Sequence, residues 1–355
     1  MAYELYRAAG LPVLQNRTFA DAASARASAS GDMCLVQDER TGLVYNQAFD
    51  ESLLSYDTDY QNEQALSPAF QRHLDEVEGL VARHFAGKRL IEVGCGKGYF
   101  LELLRQRGHL VTGIDPAYEG DNPDVIKAPF TRALGLAAEA VVLRHVLEHI
   151  ADPLAFLGAI ADANQGGLIY IEVPCLDWIL EHRAWFDLFY EHVNYFRLGD
   201  LRRCFGRVLE AGHLFNGQYL YIVADLASLR VPVFDGQRLQ LPAGFSASLE
   251  RGQALVREQA GRGAAIWGAS SKGVIYSLYL QRAGVQVDHV IDINPAKQGR
   301  HLPLSGLRVS SPAEALATLA DGAQIFVMNS NYLDEIRRDT GNRFVYHAAD
   351  DAAFQ

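Results

Sequence analysis

Residues 92–99, EVGCGKGY, indicate the fold class, because this glycine-rich turn joins an apolar run to a helical pattern. RLIEV leads into the turn, and YFLELLRQRG follows it. Glycines permit a tight turn and let backbone N–H groups approach a ligand, and the start of a helix favours an anionic group there. One strand later, LVTGID ends at Asp115, where an acid can accept hydrogen bonds from both hydroxyls of a ribose. The stretch therefore predicts a nucleoside-binding α/β domain.

The spacing of the glycines distinguishes between the possible cofactors. Gly94, Gly96 and Gly98 follow G-x-G-x-G, whereas nicotinamide-binding turns typically follow G-x-G-x-x-G. Glu92 stands two residues before the first glycine, where a carboxylate can meet a cationic ligand. Both features favour S-adenosyl-L-methionine over the cofactor of a dehydrogenase. The alternative is a turn that serves only the packing of helix against strand.

Outward from this turn, strand and helix patterns alternate, which predicts a parallel sheet with helices on both faces. RVLEAGHLF and GQYLYIVADL, joined through Asn216-Gly217, predict an antiparallel hairpin that closes the sheet edge. A smaller α/β pattern begins at AAIWGAS. Near the N-terminus, MCLVQD and GLVYNQ predict a hairpin, whereas ADAASARASAS predicts a loop or mobile segment. The expected units are an N-terminal module (1–64), a cofactor-binding domain (65–232), a linker and helix (233–262), and a Rossmann-like domain (263–355).

Charge and composition exclude several functional classes. The 355 residues carry 32 basic and 43 acidic side chains, and this net charge of −11 argues against binding to nucleic acid. No apolar run reaches the roughly 20 residues that cross a bilayer, and the N-terminus lacks the pattern of a signal peptide. The four cysteines (Cys34, Cys95, Cys175 and Cys204) form no C-x-x-C pair, so we expect neither structural zinc nor disulfides. We expect a cytoplasmic protein, monomeric or homodimeric, that acts on a small molecule.

An aromatic segment, residues 176–196, follows the predicted strand GGLIYIEVP. Loops at the carboxyl ends of parallel strands carry ligands, so Trp178 and Trp185 are candidates to line a substrate pocket. Tyr190-Glu191-His192 places three titratable groups side by side, and such groups can remove or shuttle a proton in a dry pocket. The alternative is an aromatic helix packed on the sheet, with His192 bonded to a backbone carbonyl.

EVGCGKGYF, GIDP, VLEHIADP and the closing hairpin resemble class I methyltransferases. The resemblance implies that Asp115 holds the ribose and that Arg144 and His145 lie beneath the sulfonium. Glu148 and His149 would brace the following helix. The product would be S-adenosyl-L-homocysteine. The resemblance implies the cofactor contacts Tyr60, Glu92, Gly94, Cys95, Gly96, Gly98, Tyr99, Asp115, Pro116, Ala128, Pro129, Phe130 and Arg144.

A second resemblance concerns EVP…FDLFYEHVNYF, which is similar to a segment of sugar C-methyltransferases that reads roughly E-V-P…Y-x-E-H…Y-F. It implies that His192 is the general base, with Glu191 as its partner or as the alternative base. Tyr190, Arg144 or His145 would stabilise an oxyanion. The family's tyrosine three residues before the histidine is Phe189 in this chain.

The remaining parts of the chain extend this resemblance. WGASSKG, IDINPAKQGR and NSNYLDEI resemble the C-terminal domain of the same family, and Lys272 at a helix start would suit an anion such as a pyrophosphate. The family carries an N-terminal zinc module with two C-x-x-C pairs, of which only Cys34 remains, so we expect no zinc. Tyr56 and Tyr60 are candidates to close over the cofactor.

The hypothesis is therefore C-methylation next to a carbonyl, in a nucleotide-linked keto-sugar or a related intermediate of natural-product biosynthesis. One alternative is O- or N-methylation of such an intermediate. Another is a subunit that binds the cofactor without catalysis.

Overall fold

The computed structural model describes residues 2–55, 59–61, 63–258, 261–351 and 354. The N-terminal part contains β1 (Ala2–Pro12), α1 (Ala22–Arg26), β2 (Ser30–Asp38) and β3 (Val44–Asn46). The central part contains α2 (Pro68–Phe85), β4 (Arg89–Val93), α3 (Tyr99–Gln106), β5 (Leu110–Ile114), β6 (Val125–Ile126), β7 (Ala140–Arg144), α4 (Pro153–Asn164), β8 (Leu168–Pro174), α5 (Leu176–Glu181), β9 (Asn194–Tyr195), α6 (Leu198–Arg203), β10 (Val208–Leu214) and β11 (Tyr219–Asp225). The C-terminal part contains α7 (Ala247–Glu258), β12 (Ala264–Trp267), α8 (Ser271–Arg282), β13 (His289–Ile291), β14 (Val309–Ser310), α9 (Pro312–Thr318), β15 (Gln324–Val327), α10 (Leu333–Asp339) and β16 (Val345–Ala348).

The central sheet has the strand order β10-β11-β8-β7-β4-β5-β6. The strands from β8 to β6 are parallel, whereas β11 is antiparallel to both β8 and β10. This confirms the predicted α/β sheet and its closing hairpin. Because β4, β5, β7 and β8 are parallel neighbours, the loops at their carboxyl ends meet at one edge of the sheet.

Helix α2 shows how the sequence positions a helix on this sheet. Ser67 caps its N-terminus and accepts hydrogen bonds from the N–H groups of Ala69 and Phe70, and Pro68 fits the first turn, where no N–H is needed. The apolar residues at three- and four-residue spacing are buried, and so is His73 on the same face. The helix thereby directs a polar ring into the core, toward the sheet.

The C-terminal sheet has the order β14-β13-β12-β15-β16 with all strands parallel, as expected for a Rossmann-like unit. Its first strand, β12, ends at Trp267, and α8 begins four residues later. Within the described residues, no helix combines the length and the apolar character needed to cross a membrane.

The N-terminal sheet, β1-β2-β3-β9, differs from the expectation in two ways. The predicted β2–β3 hairpin is present, but a long unpredicted strand, β1, pairs with β2. Residues 20–30, expected to be a loop, contain α1, because the Asp21 side chain accepts hydrogen bonds from the N–H groups of Ala23 and Ser24. The sheet also includes β9 from the aromatic segment, so this module is joined to the central part.

Candidate functional site

The turn after β4 has the conformation that its glycines were expected to allow. Gly94, Gly96 and Gly98 have φ angles of +72°, +54° and +81°, in the left-handed region that other residues rarely adopt. A Cβ atom on Gly96 would meet no atom within 4 Å, so the turn faces open space at that residue. Asp115, at the end of β5, accepts hydrogen bonds from the N–H groups of Gly96 (2.8 Å) and Ala117 (2.8 Å). The structure thus brings the turn and its acidic partner together.

Glu92, on β4 just before the turn, is 3% exposed, and its Oε2 atom has no hydrogen-bond partner within the described part of the chain. Burial raises the pKa of Glu92 to about 7; Arg144 opposes this increase, and Asp115 adds to it. A buried carboxylate oxygen without a partner is costly unless a cation or a donor lies against it. This position therefore suits a cationic ligand.

Six other predicted cofactor contacts follow the ends of β4, β5 and β6. Tyr99 is 45% exposed at the start of α3, and Pro116 and Pro129 are exposed. Ala128 is half-buried, and the Phe130 side chain belongs to the apolar core. The Cys95 side chain points toward Gly113 on β5, so only its backbone faces the turn.

Glu172, on β8, is the centre of a buried polar network. Its carboxylate accepts hydrogen bonds from His73 Nε2 (2.8 Å), Arg144 Nε (3.0 Å), His145 Nε2 (3.1 Å) and the Tyr170 hydroxyl (2.9 Å). Burial opposes ionisation, but Arg144 and both histidines outweigh it and hold the pKa of Glu172 well below its ordinary value. The network fixes Arg144 and His145 at the carboxyl end of β7.

His145 has a φ of +51°, unusual for a residue other than glycine, so its backbone conformation is held by its surroundings. Its Nδ1 atom lies 3.5 Å from Glu148 Oε1. Burial lowers its pKa, but the interactions with Glu148 and Glu172 outweigh this effect and raise the pKa of His145 to about 9. The ring is therefore charged at neutral pH.

A cleft that contains about 1450 Å³ of space, part of it open to solvent, separates the central part from the C-terminal part. On the central side it is lined by Tyr60, His145, Glu148, His149, Glu191 and His192. On the opposite side it is lined by Ser270, Lys272, Asp292 and Asn329. The glycine turn does not line this cleft; His145 follows β7, next to the strand that ends at the turn.

Glu191 and His192 thus line the cleft, as predicted. The Tyr60 hydroxyl donates a hydrogen bond to Glu191 Oε1. Burial and the nearby His149, His145 and Lys272 hold the pKa of His192 well below its ordinary value, so this ring is neutral. The candidate lid residue Tyr56 lies outside the described residues.

Tyr190 and Trp185 do not line the cleft. The Tyr190 hydroxyl accepts a hydrogen bond from the Asp50 N–H (2.7 Å) and donates one to the Asp50 carbonyl (3.2 Å), and its ring packs on Phe49 of the N-terminal part. Trp185 is 1% exposed and donates a hydrogen bond to Ser248 Oγ. Both side chains therefore have structural roles, because Tyr190 packs against the N-terminal part and Trp185 packs against the C-terminal part.

Lys272 lies in the cleft wall, where its Nζ atom is 3.0 Å from Asp187 Oδ2 and 4.6 Å from the ring centre of Trp178. Burial raises the pKa of Asp187, although Lys272 opposes the increase. Trp178 is 5% exposed and does not line the cleft itself. An anion at Lys272 would have to compete with the Asp187 carboxylate.

The sequence did not predict roles for Glu172 and His73, and Glu148 was expected only to brace the helix that follows it. A glutamate inside the apolar run GGLIYIEVP was the available signal for Glu172, because a charged residue in a buried strand needs partners. His73 gave no such signal, since one histidine on the apolar face of a helix is usually a core residue.

Comparison with known proteins places these residues in context. Residues 61–208 match a family described as a methyltransferase domain. The C-methyltransferase NovU of Streptomyces niveus is 29% identical over 70% of this chain and 68% of its own length. A ubiquinone biosynthesis O-methyltransferase of Saccharophagus degradans is 31% identical over 30% of this chain. The chain spans less than half, 49%, of that enzyme's length.

Two solved structures match part of this chain. The PH0226 protein of Pyrococcus horikoshii is 13% identical, with a TM-score of 0.39 over 50% of this chain and 100% of its own. The magnesium protoporphyrin IX methyltransferase of Synechocystis, with bound S-adenosylhomocysteine (SAH), is 17% identical, with a TM-score of 0.34 over 44% of this chain and 82% of its own. The family match includes the glycine turn, Glu148, His149, Glu191 and His192.

Proposed function

Because this chain is an S-adenosyl-L-methionine-dependent methyltransferase with a class I domain, we propose that it methylates a carbon atom next to a carbonyl group. The acceptor is a small biosynthetic intermediate, and a nucleotide-linked keto-sugar is the favoured class. The similarity to a C-methyltransferase over 70% of the chain supports this chemistry. The observation that carries the proposal is that Glu191, His192 and His145 line the same cleft.

The residues around the glycine turn fit the cofactor. Glu92 presents a buried carboxylate oxygen without a hydrogen-bond partner in the described residues, which suits a positive charge. The backbone N–H groups of Gly96 and Ala117 hold the Asp115 carboxylate, which can accept further hydrogen bonds from a ribose. When bound, S-adenosyl-L-methionine supplies a methyl group on a positively charged sulfur, an electrophile that a nearby nucleophile can attack.

A carbon nucleophile requires two further groups. A base must take the proton from the acceptor carbon, and a donor must stabilise the negative charge that moves to the carbonyl oxygen. Glu191 or His192 takes the proton, since both line the cleft wall. The charged His145 ring, whose Nε2 is bonded to Glu172, is the candidate donor to the oxygen through Nδ1, which lies 3.5 Å from Glu148 Oε1. Tyr190 takes no part, because its hydroxyl is bonded to Asp50.

The opposite wall would hold the remainder of the acceptor. The turn that contains Ser270 opens α8, and Lys272 lies in its first turn. A diphosphate bound there would replace the Asp187 carboxylate as the ionic partner of Lys272. The C-terminal part would then position the acceptor, while the central part supplies the chemistry.

Transfer of an isotope-labelled methyl group to keto-sugar nucleotides tests the proposal. We expect label on carbon, and exchange of the acceptor C–H with solvent deuterium even without the methyl donor. We expect Glu191→Gln or His192→Ala to lower both rates by roughly 10²- to 10⁴-fold, while the affinity for S-adenosyl-L-methionine changes little. Glu210→Gln, in a Glu–His pair away from the cleft, is the matched control. Label on oxygen or nitrogen, or full activity of both variants, would contradict C-methylation.

O-methylation is the second candidate, because O-methyltransferases match part of the same segment. An oxygen nucleophile depends less on a base, so exchange of the acceptor C–H with solvent would be absent. The alternative of an inactive cofactor-binding subunit receives no support, since the relatives are enzymes.

A further inference from the structure

We propose that Glu148, His149 and His192 bind one divalent transition-metal cation in the wall of the cleft. A carboxylate oxygen and one nitrogen from each ring lie within 4.8 Å of one another. A cation such as zinc binds such atoms at about 2.0–2.2 Å, so a shared ion requires the three atoms to move closer together. All three residues line the cleft, so the remaining coordination positions would face the acceptor.

The backbone holds the two segments of this site together. Glu148 and His149 lie in the short 3-10 turn Leu147–His149 that follows β7, and His192 precedes β9. His149 Nδ1 lies 3.1 Å from the Glu191 carbonyl oxygen, and the Asn194 side chain donates to the Ile150 carbonyl oxygen at 2.6 Å. These two hydrogen bonds flank His192 and hold its segment against the turn that contains Glu148 and His149.

The first of these bonds also determines which nitrogen of His149 can bind a metal. A carbonyl oxygen only accepts hydrogen bonds, so Nδ1 carries the proton and Nε2 retains a free electron pair. A hydrogen bond from the second ring nitrogen to a carbonyl is the common way in which proteins orient metal-binding histidines. The ring of His192 meets that of His149 edge to face, with centroids 4.8 Å apart.

Glu148 is the observation that calls for a cation. The residue is 1% exposed, and in the described residues neither carboxylate oxygen has a hydrogen-bond partner. His145 Nδ1, at 3.5 Å, is the cationic group beside it, and that ring is already bonded to Glu172. Glu172, which forms a comparable cluster with His73 and His145, accepts hydrogen bonds from four side chains and needs no metal.

The ligands indicate the class of metal. Two imidazoles and one carboxylate suit zinc, iron(II), cobalt(II) or manganese(II), whereas magnesium and calcium prefer oxygen ligands. A metal held by three protein ligands keeps coordination positions open, which is typical of a metal that contacts a substrate. This differs from the sequence-based expectation of no metal, which considered only the spacing of the cysteines.

The chemical role of this cation rests on the proposed function. A cation facing the cleft would draw electron density from the acceptor carbonyl and so make the neighbouring C–H more acidic. His192 would then be a ligand, and Glu191, which also lines the cleft, would be the base. The metal site therefore distinguishes between the two bases that the proposed function leaves open.

Cobalt(II) binding tests the site without reference to turnover. The full-length protein, free of affinity tag and stripped of metal with a chelator, is titrated with Co²⁺ and followed by visible absorption and calorimetry. We expect one equivalent to bind, and we expect Glu148→Gln and His149→Ala each to weaken binding by at least about tenfold. Glu210→Gln changes a Glu–His pair outside the cleft and is expected to bind as the unchanged protein does.

The affinity for S-adenosyl-L-methionine, measured on the same samples, shows whether each variant is folded; if Glu148→Gln is not, His192→Gln replaces it. No saturable Co²⁺ binding, or equal binding by folded ligand variants, would overturn the metal site and leave the proposed function intact. Stoichiometric Co²⁺ binding that is lost in the variants supports the site, even if labelled methyl is found on oxygen, a result that would overturn C-methylation alone.

Discussion

Replacement of Glu92 by glutamine tests the interpretation of the glycine turn as a site for a cation. The pKa of this carboxyl is raised from an ordinary value of 4.5 to about 7, chiefly by burial. Each tenfold change in the proton equilibrium corresponds to about 1.4 kcal/mol, so ionised Glu92 costs the folded protein about 3 kcal/mol. This cost is absent below pH 4.5, grows as the pH rises toward 7, and is complete above 7.

We therefore expect Glu92→Gln to be more stable than the unchanged protein at pH 8, by up to about 3 kcal/mol, and equally stable near pH 4.5. The measurement is urea unfolding across this pH range without cofactor. Glu119→Gln, which changes an exposed carboxyl, is the control. A stability difference that does not depend on pH would refute the reasoning.

Binding of S-adenosyl-L-methionine should show the opposite effect. A cationic ligand favours the ionised carboxylate, so the affinity of the unchanged protein should fall as the pH decreases below 7, by up to tenfold per pH unit. Glu92→Gln should bind more weakly at pH 8, and its affinity should vary little with pH. Calorimetry at fixed ionic strength provides the affinities. If the variant retained full affinity at pH 8, Glu92 would not contact the cation.

Four further substitutions separate structure from function. Gly94→Ala should cost roughly 1–3 kcal/mol in unfolding free energy, because φ is +72° and its Cβ would collide with Val146 Cγ2. Gly96→Ala should destabilise the protein less, but it should weaken S-adenosyl-L-methionine binding at least about tenfold, because its Cβ would enter the open space that the turn faces. Urea unfolding and calorimetry compare the two glycine variants. Glu172→Gln should destabilise by about 3–5 kcal/mol, because Arg144 would remain buried with a weakened partner, and an unchanged denaturation midpoint would contradict this network. Tyr190→Phe should retain methyl transfer and lose about 1–2 kcal/mol of stability with its two bonds to Asp50, whereas a loss of activity without a loss of stability would restore the predicted catalytic role.

The parts of the fold that sequence reasoning predicted are those determined by short-range patterns. The glycine turn, the capped helix α2 and the hairpin at Asn216-Gly217 each depend on residues within a few positions of one another. Strand β1 was missed because two register shifts against β2 interrupt its alternation of buried and exposed residues. Helix α1 was missed because its small residues resemble those of a loop, and only the Asp21 cap marks its start.

The candidate site was predictable only in part, for a related reason. The motifs identified Glu191 and His192 but could not show which aromatic residues face the cleft. Tyr190 is adjacent to both in sequence, yet its hydroxyl meets the backbone of Asp50, 140 residues away along the chain. Likewise, the donors to Glu172 come from α2, β7 and β8, and no local pattern predicts that they converge.

The contacts of α2 indicate that the C-terminal part contributes more to the site than one wall of the cleft. Glu335, on α10, accepts hydrogen bonds from the Ser67 hydroxyl (2.9 Å) and the Ala69 N–H (3.2 Å) at the start of α2. A carboxylate at a helix N-terminus is favourable there, because it lies at the positive end of the helix dipole. About one and a half turns further along, α2 carries His73, which donates to Glu172, the carboxylate that also holds Arg144 and His145. The C-terminal part is thus connected through one helix to the side chains at the end of β7.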